Sequence, residues 1–574
     1  MKRHTLMLLV TAIAAVAVAQ AHAESSSGQG SALHAVPPVA NPCPRLAAGS
    51  IVQNPSSLFS QHGVLTANFS YQTTTDTDGR TLFCFMTPEG LENPTLRVHP
   101  GDQLVINVTN NTPAMPVEMH IDPPNCGDTA MTESSVNIHY HGTNTSPSCH
   151  SDEVIHTVIN SGHTFTYNVH IPVDEPPGLY WYHPHIHGHV EAALQGGGSG
   201  AIVVEGIEDF QRAVAAMRQM IIVVRDQNVA GSPPSGGNVP SWDLTLNNIP
   251  IAYPAEIPAV IQMLPGERQL WRVSNSSADS IIDLQIRYDG IAQKLQIVGL
   301  DGVPTGSQDG TRRGKIVNAR HVLIPVAGRA EFIVTGPSSA VKKAKLVTLA
   351  INTGSDGDND PQRTLATIQT VTGPVLSVAR NGNAVPAAIG PTWKQRFENL
   401  AAARVTAQRR LYFSENNPLS QFFITVEGAT PTLFDPNNPP AIVTTQGSVE
   451  DWTIENRTLE VHDFHIHQIH FMVLAQKNFE ANGSKKDPSV QRQFMDTIQI
   501  PAWDGNPRHR FPGVVVRMDF RGMDIGDVVY HCHIAEHEDD GMMAIVRVVP
   551  AIASARVPVT PKASAGADFA QRGK

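Results

Sequence analysis

Three stretches of the chain share one arrangement of polar and apolar positions. Residues 97–110 read RVHPGDQLVINVTN, residues 262–275 QMLPGERQLWRVSN and residues 442–456 IVTTQGSVEDWTIEN. In each, a glycine is followed nine residues later by an asparagine: Gly101–Asn110, Gly266–Asn275 and Gly447–Asn456. Apolar residues hold the fifth and seventh positions after each glycine: Ile106 and Val108, Trp271 and Val273, Trp452 and Ile454. A glycine punctuates a turn, and alternation after it argues for a half-buried strand. The glycines lie 165 and 181 residues apart, so the repeating unit has the size of a domain. The pattern predicts an all-β chain of three similar β-sandwich domains, over 24–205, 206–390 and 391–550. The third opens on a different pattern. After Pro391, Trp393, Phe397, Leu400 and Arg404 fall at helical spacing, so 391–410 reads as a connecting helix.

The two ends carry no such pattern. Lys2, Arg3 and His4 precede an apolar run from Leu6 to Val18, and Ala21-His22-Ala23 supplies small residues for cleavage. Residues 1–23 therefore read as a secretory signal, too short and wrongly flanked for a stable membrane span. Cleavage near Ala23 predicts a secreted or periplasmic protein without a membrane span. Residues 551–574, rich in Ala, Lys and Pro, read as a disordered tail. Among the 574 residues, 44 Gly and 43 Pro suit short strands joined by many turns. The formal charge of −11 leaves no basic footprint for nucleic acid.

The candidate chemistry lies in residues 531–542, His-Cys-His-Ile-Ala-Glu-His-Glu-Asp-Asp-Gly-Met. A thiolate, two imidazoles and a weak axial Met are the ligands of a blue-copper electron-transfer site. Side chains alternate along a strand. Cys532 would then face one way, and His531 and His533 the other. In His-Asp-Phe-His-Ile-His (462–467), His465 and His467 share a face and His462 takes the opposite one. So His462, Cys532, His537 and Met542 can form one site, and His465, His467, His531 and His533 part of another. Two further pairs lie upstream, in His139-Tyr140-His141-Gly142 and in Trp181-Tyr182-His183-Pro184-His185. One pair from each motif gives eight imidazoles, too many for one metal. Only His321 lies between His189 and His462, so the ligands come from the two ends of the chain.

These four motifs, HYHG, WYHPHIHG, HDFHIH and HCHIAEHEDDGMM, resemble those of the three-domain multicopper oxidases, the laccase-like family, over roughly residues 50–550. The resemblance implies cupredoxin-like Greek-key sandwiches and four copper ions: one type 1, one type 2 and a type 3 pair. By position, His462, Cys532 and His537 match the type 1 ligands, with Met542 axial. His139 and His465 match the type 2 ligands. His141, His183 and His533 would hold one type 3 copper, and His185, His467 and His531 the other. The three-copper cluster would then lie between the first and third domains, with the middle domain a spacer. The implied activity couples one-electron oxidation of a phenol or aromatic amine to reduction of dioxygen to water. Oxidation of cuprous or another metal ion is the alternative within the family, and a copper-binding scaffold of the same fold the non-enzyme one. A nitrite reductase would have two such domains and fewer His-x-His pairs. Glu536 and Asp152 match acidic positions of the family and are candidate proton relays; the other reading is solvated loop carboxylates. A monomer is expected.

Two departures stand out. Asp463 sits where the family usually has Pro, and His187 and His189 extend the second motif. With His470, these two histidines read as structural. Met115, Met119, His120 and Met131 could form a shallow cuprous site or be packing, and Met543 reads as core. Reserving Cys532 for copper leaves Cys43, Cys84, Cys126 and Cys149, an even number. Cys126–Cys149 would brace the HYHG motif and leave Cys43–Cys84; four free buried thiols is the alternative.

Overall fold

The computed structural model describes residues 42–231, 239–309, 314–372, 396–522 and 524–551. The expected signal segment and the tail beyond Ala551 lie outside the described residues. The described chain is almost wholly β, with short helices only, such as Val190–Gln195 and Ala535–Asp539.

The main sheets come in three pairs. The first pair runs Ser57–Phe59, Thr95–Val98, Gly200–Val204, Gly178–Tyr182 against Thr164–His170, Gln103–Asn110, Val64–Thr75, Thr81–Met86. The second pair, of eight and six strands, falls within residues 218–370, and the third, of six and five, within 407–549. Neighbours in each sheet are mostly not consecutive in sequence, so the chain crosses between sheets as Greek-key sandwiches require. Between the two sheets of the first pair lies an apolar core including Phe69, Ile106, Val108, Tyr167, Tyr182 and Ile202.

The repeated glycine–asparagine segments occupy equivalent places. Strands Gln103–Asn110, Arg268–Asn275 and Val449–Asn456 each start two residues after the glycine. Each pairs in parallel with an earlier long strand, Val64–Thr75, Arg218–Asn228 or Ala407–Asn416. Gly266 and Gly447 have φ of 69° and 96°, and a Cβ on either would meet nothing. Their requirement is conformational, since L side chains disfavour that region. The closing asparagines are fully buried and do one job. Asn275 Nδ2 donates to the carbonyls of Ser280, Ile324 and Pro325, and Asn456 Nδ2 to those of Glu460, Ile500 and Pro501. Asn110 Nδ2 donates to Ser134 and Ile159. Each thus satisfies carbonyls of chain entering the sandwich, which buried backbone needs.

The connecting helix expected over 391–410 does not form among its described residues. Residues 400–402 make a single 3-10 turn, and Ala407–Asn416 is a strand. The i, i+3 pair Phe397 and Leu400 is buried against Val303, Val449, Met472 and Phe494, a contact one tight turn supplies. Beyond it the alternating burial of 407–413 and its pairing with Val449–Asn456 override helical spacing. Cys43–Cys84 and Cys126–Cys149 are disulfides, and Cys532 is free and buried. No helix among the described residues is long and apolar enough to cross a membrane.

Removing an asparagine that serves three buried carbonyls should cost about 1–3 kcal/mol. Asn275→Ala is expected to lower the midpoint of denaturant unfolding of the middle sandwich; an unchanged midpoint would mean that water replaces the amide.

Candidate metal centres

Two groups of ligand atoms meet on one strand. Gly526–Cys532 pairs antiparallel with His462–Ile466, in the register Phe464 opposite Cys532 and His465 opposite His531. Side chains of directly opposite residues share a face. His465 and His531 therefore face one side, while Cys532 joins His462 on the other.

On that other side His462 Nδ1 lies 3.0 Å from His537 Nδ1, and Cys532 Sγ lies 3.6 Å from each. All three residues are buried, and Met542 is buried in the same apolar core as Cys532. The Cys532 N–H donates to the Met542 carbonyl at 3.1 Å, and the Met542 N–H to the His537 carbonyl at 2.9 Å. His462 lies against Phe413, and His537 stacks on Phe422. Thr458 Oγ1 is 2.8 Å from His462 Nε2, and Glu460 Oε2 is 3.3 Å from His537 Nε2. Burial lowers both imidazoles and raises the Cys532 thiol. A metal bound here therefore displaces a thiol proton.

On the opposite face eight imidazoles converge. His139 and His183 exchange backbone hydrogen bonds of 2.8 and 3.1 Å, which ties two motifs together. Asn137 ties in a third position: its Oδ1 accepts the His185 N–H at 2.7 Å and its Nδ2 donates to the Val154, Thr157 and His185 carbonyls. The rings of His139, His141, His183 and His185 then meet those of His465, His467, His531 and His533. His139 stacks on His467 at 3.7 Å and His141 on His465 at 4.0 Å. His533 lies 5.0 Å from His141 and 5.4 Å from His183 between ring centroids. His531 Nε2 is 3.2 Å from His467 Nε2 and 3.5 Å from His185 Nε2.

The residues fit a cationic metal. Burial lowers all eight imidazoles, so they are neutral and keep a lone pair. Buried nitrogens without a hydrogen-bond partner include His139 Nε2, His141 Nδ1, His183 Nε2, His465 Nε2, His467 Nδ1 and both nitrogens of His533. Buried polar atoms are usually paired, and a cluster of bare imidazole nitrogens offers its lone pairs to a metal. Several of the opposite ring nitrogens are fixed as metal-binding histidines require. His139 Nδ1 is 3.0 Å from Asp152, His183 Nδ1 2.8 Å from the Pro184 carbonyl and His465 Nδ1 2.9 Å from the Asp496 carbonyl. His187 and His189 stay outside the group: His187 packs on Phe434, and His189 pairs with Glu118. His470 Nε2 donates to the Asp301 carbonyl, 2.8 Å away, which leaves it outside the ring cluster. Met119 and Met131 face each other across a short hairpin, but Met131 packs with Ile121, Val158 and Ile186 while Met115 is exposed.

The two candidate acids sit differently. Asp152 is buried rather than solvated, and burial pushes its carboxyl up to about 7 against the Tyr140 N–H and Gln468. Glu536 is exposed, next to Asp279, whose Oδ1 accepts its N–H. The buried acid is Glu538, with Oε2 3.0 Å from His531 Nδ1 and Oε1 3.4 Å from His185 Nε2. Burial raises its carboxyl. Ala535–Asp539 is one helical turn, so Glu538, three residues after buried Ala535, faces inward and Glu536 outward. That periodicity was readable in the sequence. Arg329 and Asp496 had no such signal. Asp496 Oδ1 lies 3.3 Å from His141 Nε2, and both carboxylate oxygens accept from the Arg329 guanidinium. Burial pushes the Asp496 carboxyl up, but Arg329 and the hydrogen bonds outweigh it and hold it well below the usual range.

Two regions match models of one family, described as multicopper oxidase: residues 129–209 and 405–551. The chain is 22% identical to the iron transport multicopper oxidase FET3 of Gibberella zeae, over 79% of this chain and 70% of that one. It is 22% identical to the multicopper oxidase mco of Staphylococcus aureus, over 80% and 82%. Among solved structures, a multicopper oxidase of Campylobacter jejuni, titled a metallo-oxidase, superposes with TM-score 0.62, 21% identity and coverage of 87% and 95%. The McoA multicopper oxidase of Aquifex aeolicus gives 0.63, 18%, 88% and 100%.

Arg329→Met would strand the Asp496 carboxylate in a buried site, which costs about 3–5 kcal/mol. Without Arg329 burial raises the carboxyl, so the variant's deficit is present at neutral pH and shrinks as pH falls through the carboxylate range. Thermal unfolding of both proteins at pH 7 and pH 4 checks this. A deficit that does not shrink in acid would mean the loss is packing, not charge.

Proposed function

Since the chain belongs to the multicopper oxidase family, we propose that it couples one-electron oxidation of a small phenol or aromatic amine to four-electron reduction of dioxygen to water. Copper bound at the two ligand groups supplies the one-electron chemistry at the first and the dioxygen chemistry at the second. The observation that carries this reading is the run His531-Cys532-His533 at the end of the strand Gly526–Cys532, which joins the two groups by peptide bonds. His462, Cys532 and His537, with Met542 axial, are assigned to type 1 copper. His139 and His465 are assigned to type 2. His141, His183 and His533, and His185, His467 and His531, are assigned to the type 3 pair, four coppers in all. The mutual approach of His185, His467 and His531 supports the last set. The three sheet pairs support a division into domains near 205 and 390. All ligands come from one chain, in keeping with a monomer, and two disulfides suit an oxidising compartment outside the cytoplasm.

The chain's own acids supply protons. Glu538 stands against His531 and His185, and Asp152 against His139; burial raises both carboxyls, that of Asp152 to about 7, so each is placed to hold and pass on a proton at the imidazole cluster. Glu536, exposed on the outer face of the same turn, is not assigned this role.

One observation favours a metal ion as substrate. His537 is the type 1 imidazole nearer the surface, and its Nε2 meets Glu460. Asp358, Asp540 and Glu536 lie around it, and Glu415, pushed up to about 8 by burial and by its hydrogen bond with Glu460, holds a proton between the two carboxyls. Such a mouth attracts a cation and leaves a neutral phenol indifferent.

Three outcomes test these statements. Cys532→Ser should abolish the intense visible thiolate–copper absorption; a variant that stays blue contradicts the ligand set. Glu538→Gln should slow reoxidation of the reduced enzyme by dioxygen about 10²-fold or more in stopped flow, with Glu536→Gln unaffected; the reverse order returns the relay to Glu536. Glu460→Gln should lower kcat/KM for Cu(I) or Fe(II) about tenfold and leave a neutral phenol nearly unchanged. Equal losses for both would remove the argument for a cationic substrate.

A further inference from the structure

We propose that Asp463 is a positioning residue for the type 1 thiolate: its backbone N–H, which proline at this place would lack, donates to Cys532 Sγ and raises the reduction potential of the centre. The inference rests on the type 1 reading of His462, Cys532 and His537.

The Asp463 N–H points at Cys532 Sγ, 3.4 Å from N to S. Strand pairing explains why it is free to do so. Asp463 lies opposite Gln499 on one side, and its own N–H and carbonyl both turn to the other side, toward the strand that carries Cys532. The carbonyl accepts the His533 N–H at 2.8 Å. A second N–H, that of Ile534, also reaches the sulfur. Asp463 thus makes a two-donor environment where proline would leave one.

The side chain fixes the amide. Asp463 is fully buried, and its Oδ2 accepts the Val326 N–H of the middle sandwich at 2.7 Å. Asp463 is the residue between type 1 ligand His462 and the ring cluster, so this tether holds the amide plane on the sulfur from a part of the chain that contributes no ligand.

The consequence for potential follows from charge. The positive end of an N–H dipole at the sulfur favours whichever state leaves more negative charge there. Oxidised copper withdraws density from the thiolate and reduced copper returns it, so the bond favours the reduced state. Hydrogen bonding around the cysteine sulfur is one of the recognised controls on such sites.

The test uses the copper-loaded full chain, with redox titration of the type 1 centre and its visible absorption as readouts. Asp463→Pro removes the N–H. It should shift the centre about tenfold toward the oxidised state, about 59 mV for a one-electron couple, and move the thiolate–copper band to longer wavelength. Asp463→Asn keeps the N–H and an acceptor for Val326, and Asp463→Ala keeps the N–H alone; both should hold the potential within about a third of that shift. If Asp463→Pro leaves the potential unmoved, or Asp463→Asn lowers it as far, the amide is not the cause and the inference falls. Should Asp463→Pro fail to fold, electron–nuclear double resonance of wild-type enzyme labelled with 15N-aspartate decides: a coupled amide nitrogen is expected, and its absence overturns the proposal. A wild type without any thiolate–copper band overturns the type 1 reading and this inference together, whereas a blue wild type with an unmoved Asp463→Pro overturns the inference alone.

Discussion

Eight neutral imidazoles are buried side by side, six of them with a nitrogen that has no hydrogen-bond partner. Such a group is costly to bury without a cation, because desolvated lone pairs face one another. Its burial is the constraint to which the surrounding structure answers. The first and third sandwiches must meet closely enough for His139 to stack on His467 and His141 on His465. Metal binding then contributes free energy to whichever assembled state presents the ligands, so copper and the contact between the outer sandwiches stabilise one another. Asp539 adds to that contact by accepting the first N–H groups of the helix Val190–Gln195.

The middle sandwich is more than a spacer. It gives no ligand, yet it reaches both groups. Arg329 holds Asp496, whose carboxylate stands against His141 and whose backbone carbonyl accepts from His465 Nδ1. Val326 donates to Asp463, and the Ala278 carbonyl and Asp279 accept the N–H groups of Ala535 and Glu536 at the start of the turn bearing His537. The proposed ligands come from the ends of the chain, while part of what fixes their orientation comes from its centre.

The ligand face assignments were legible because strand periodicity is two and leaves no freedom: once residues 531–533 are a strand, Cys532 and its neighbouring histidines must part. The register of Phe464 opposite Cys532 follows the same parity. The repeat was legible because a left-handed glycine and a carbonyl-binding asparagine are both tied to backbone geometry, not to packing. Legibility failed where tertiary contact decides. Phe397 and Leu400 have helical spacing yet only a turn and the short 3-10 segment Leu400–Ala402 form, since strand pairing takes the residues that follow. Glu536 and Glu538 differ only by which side of one short helical turn faces the cluster. Arg329 and Asp496 are 167 residues apart and leave no local trace of their pairing.

The central claim is that one strand carries ligands of two distinct copper centres. Copper quantification of the full chain, with electron paramagnetic resonance of the same oxidised sample, tests it most directly. The account predicts four coppers per chain, two of them visible: one with the narrow hyperfine splitting of a thiolate-bound centre and one with ordinary splitting, the remaining pair being coupled and silent. A single copper per chain, or a sample with every copper visible and none thiolate-bound, would contradict it.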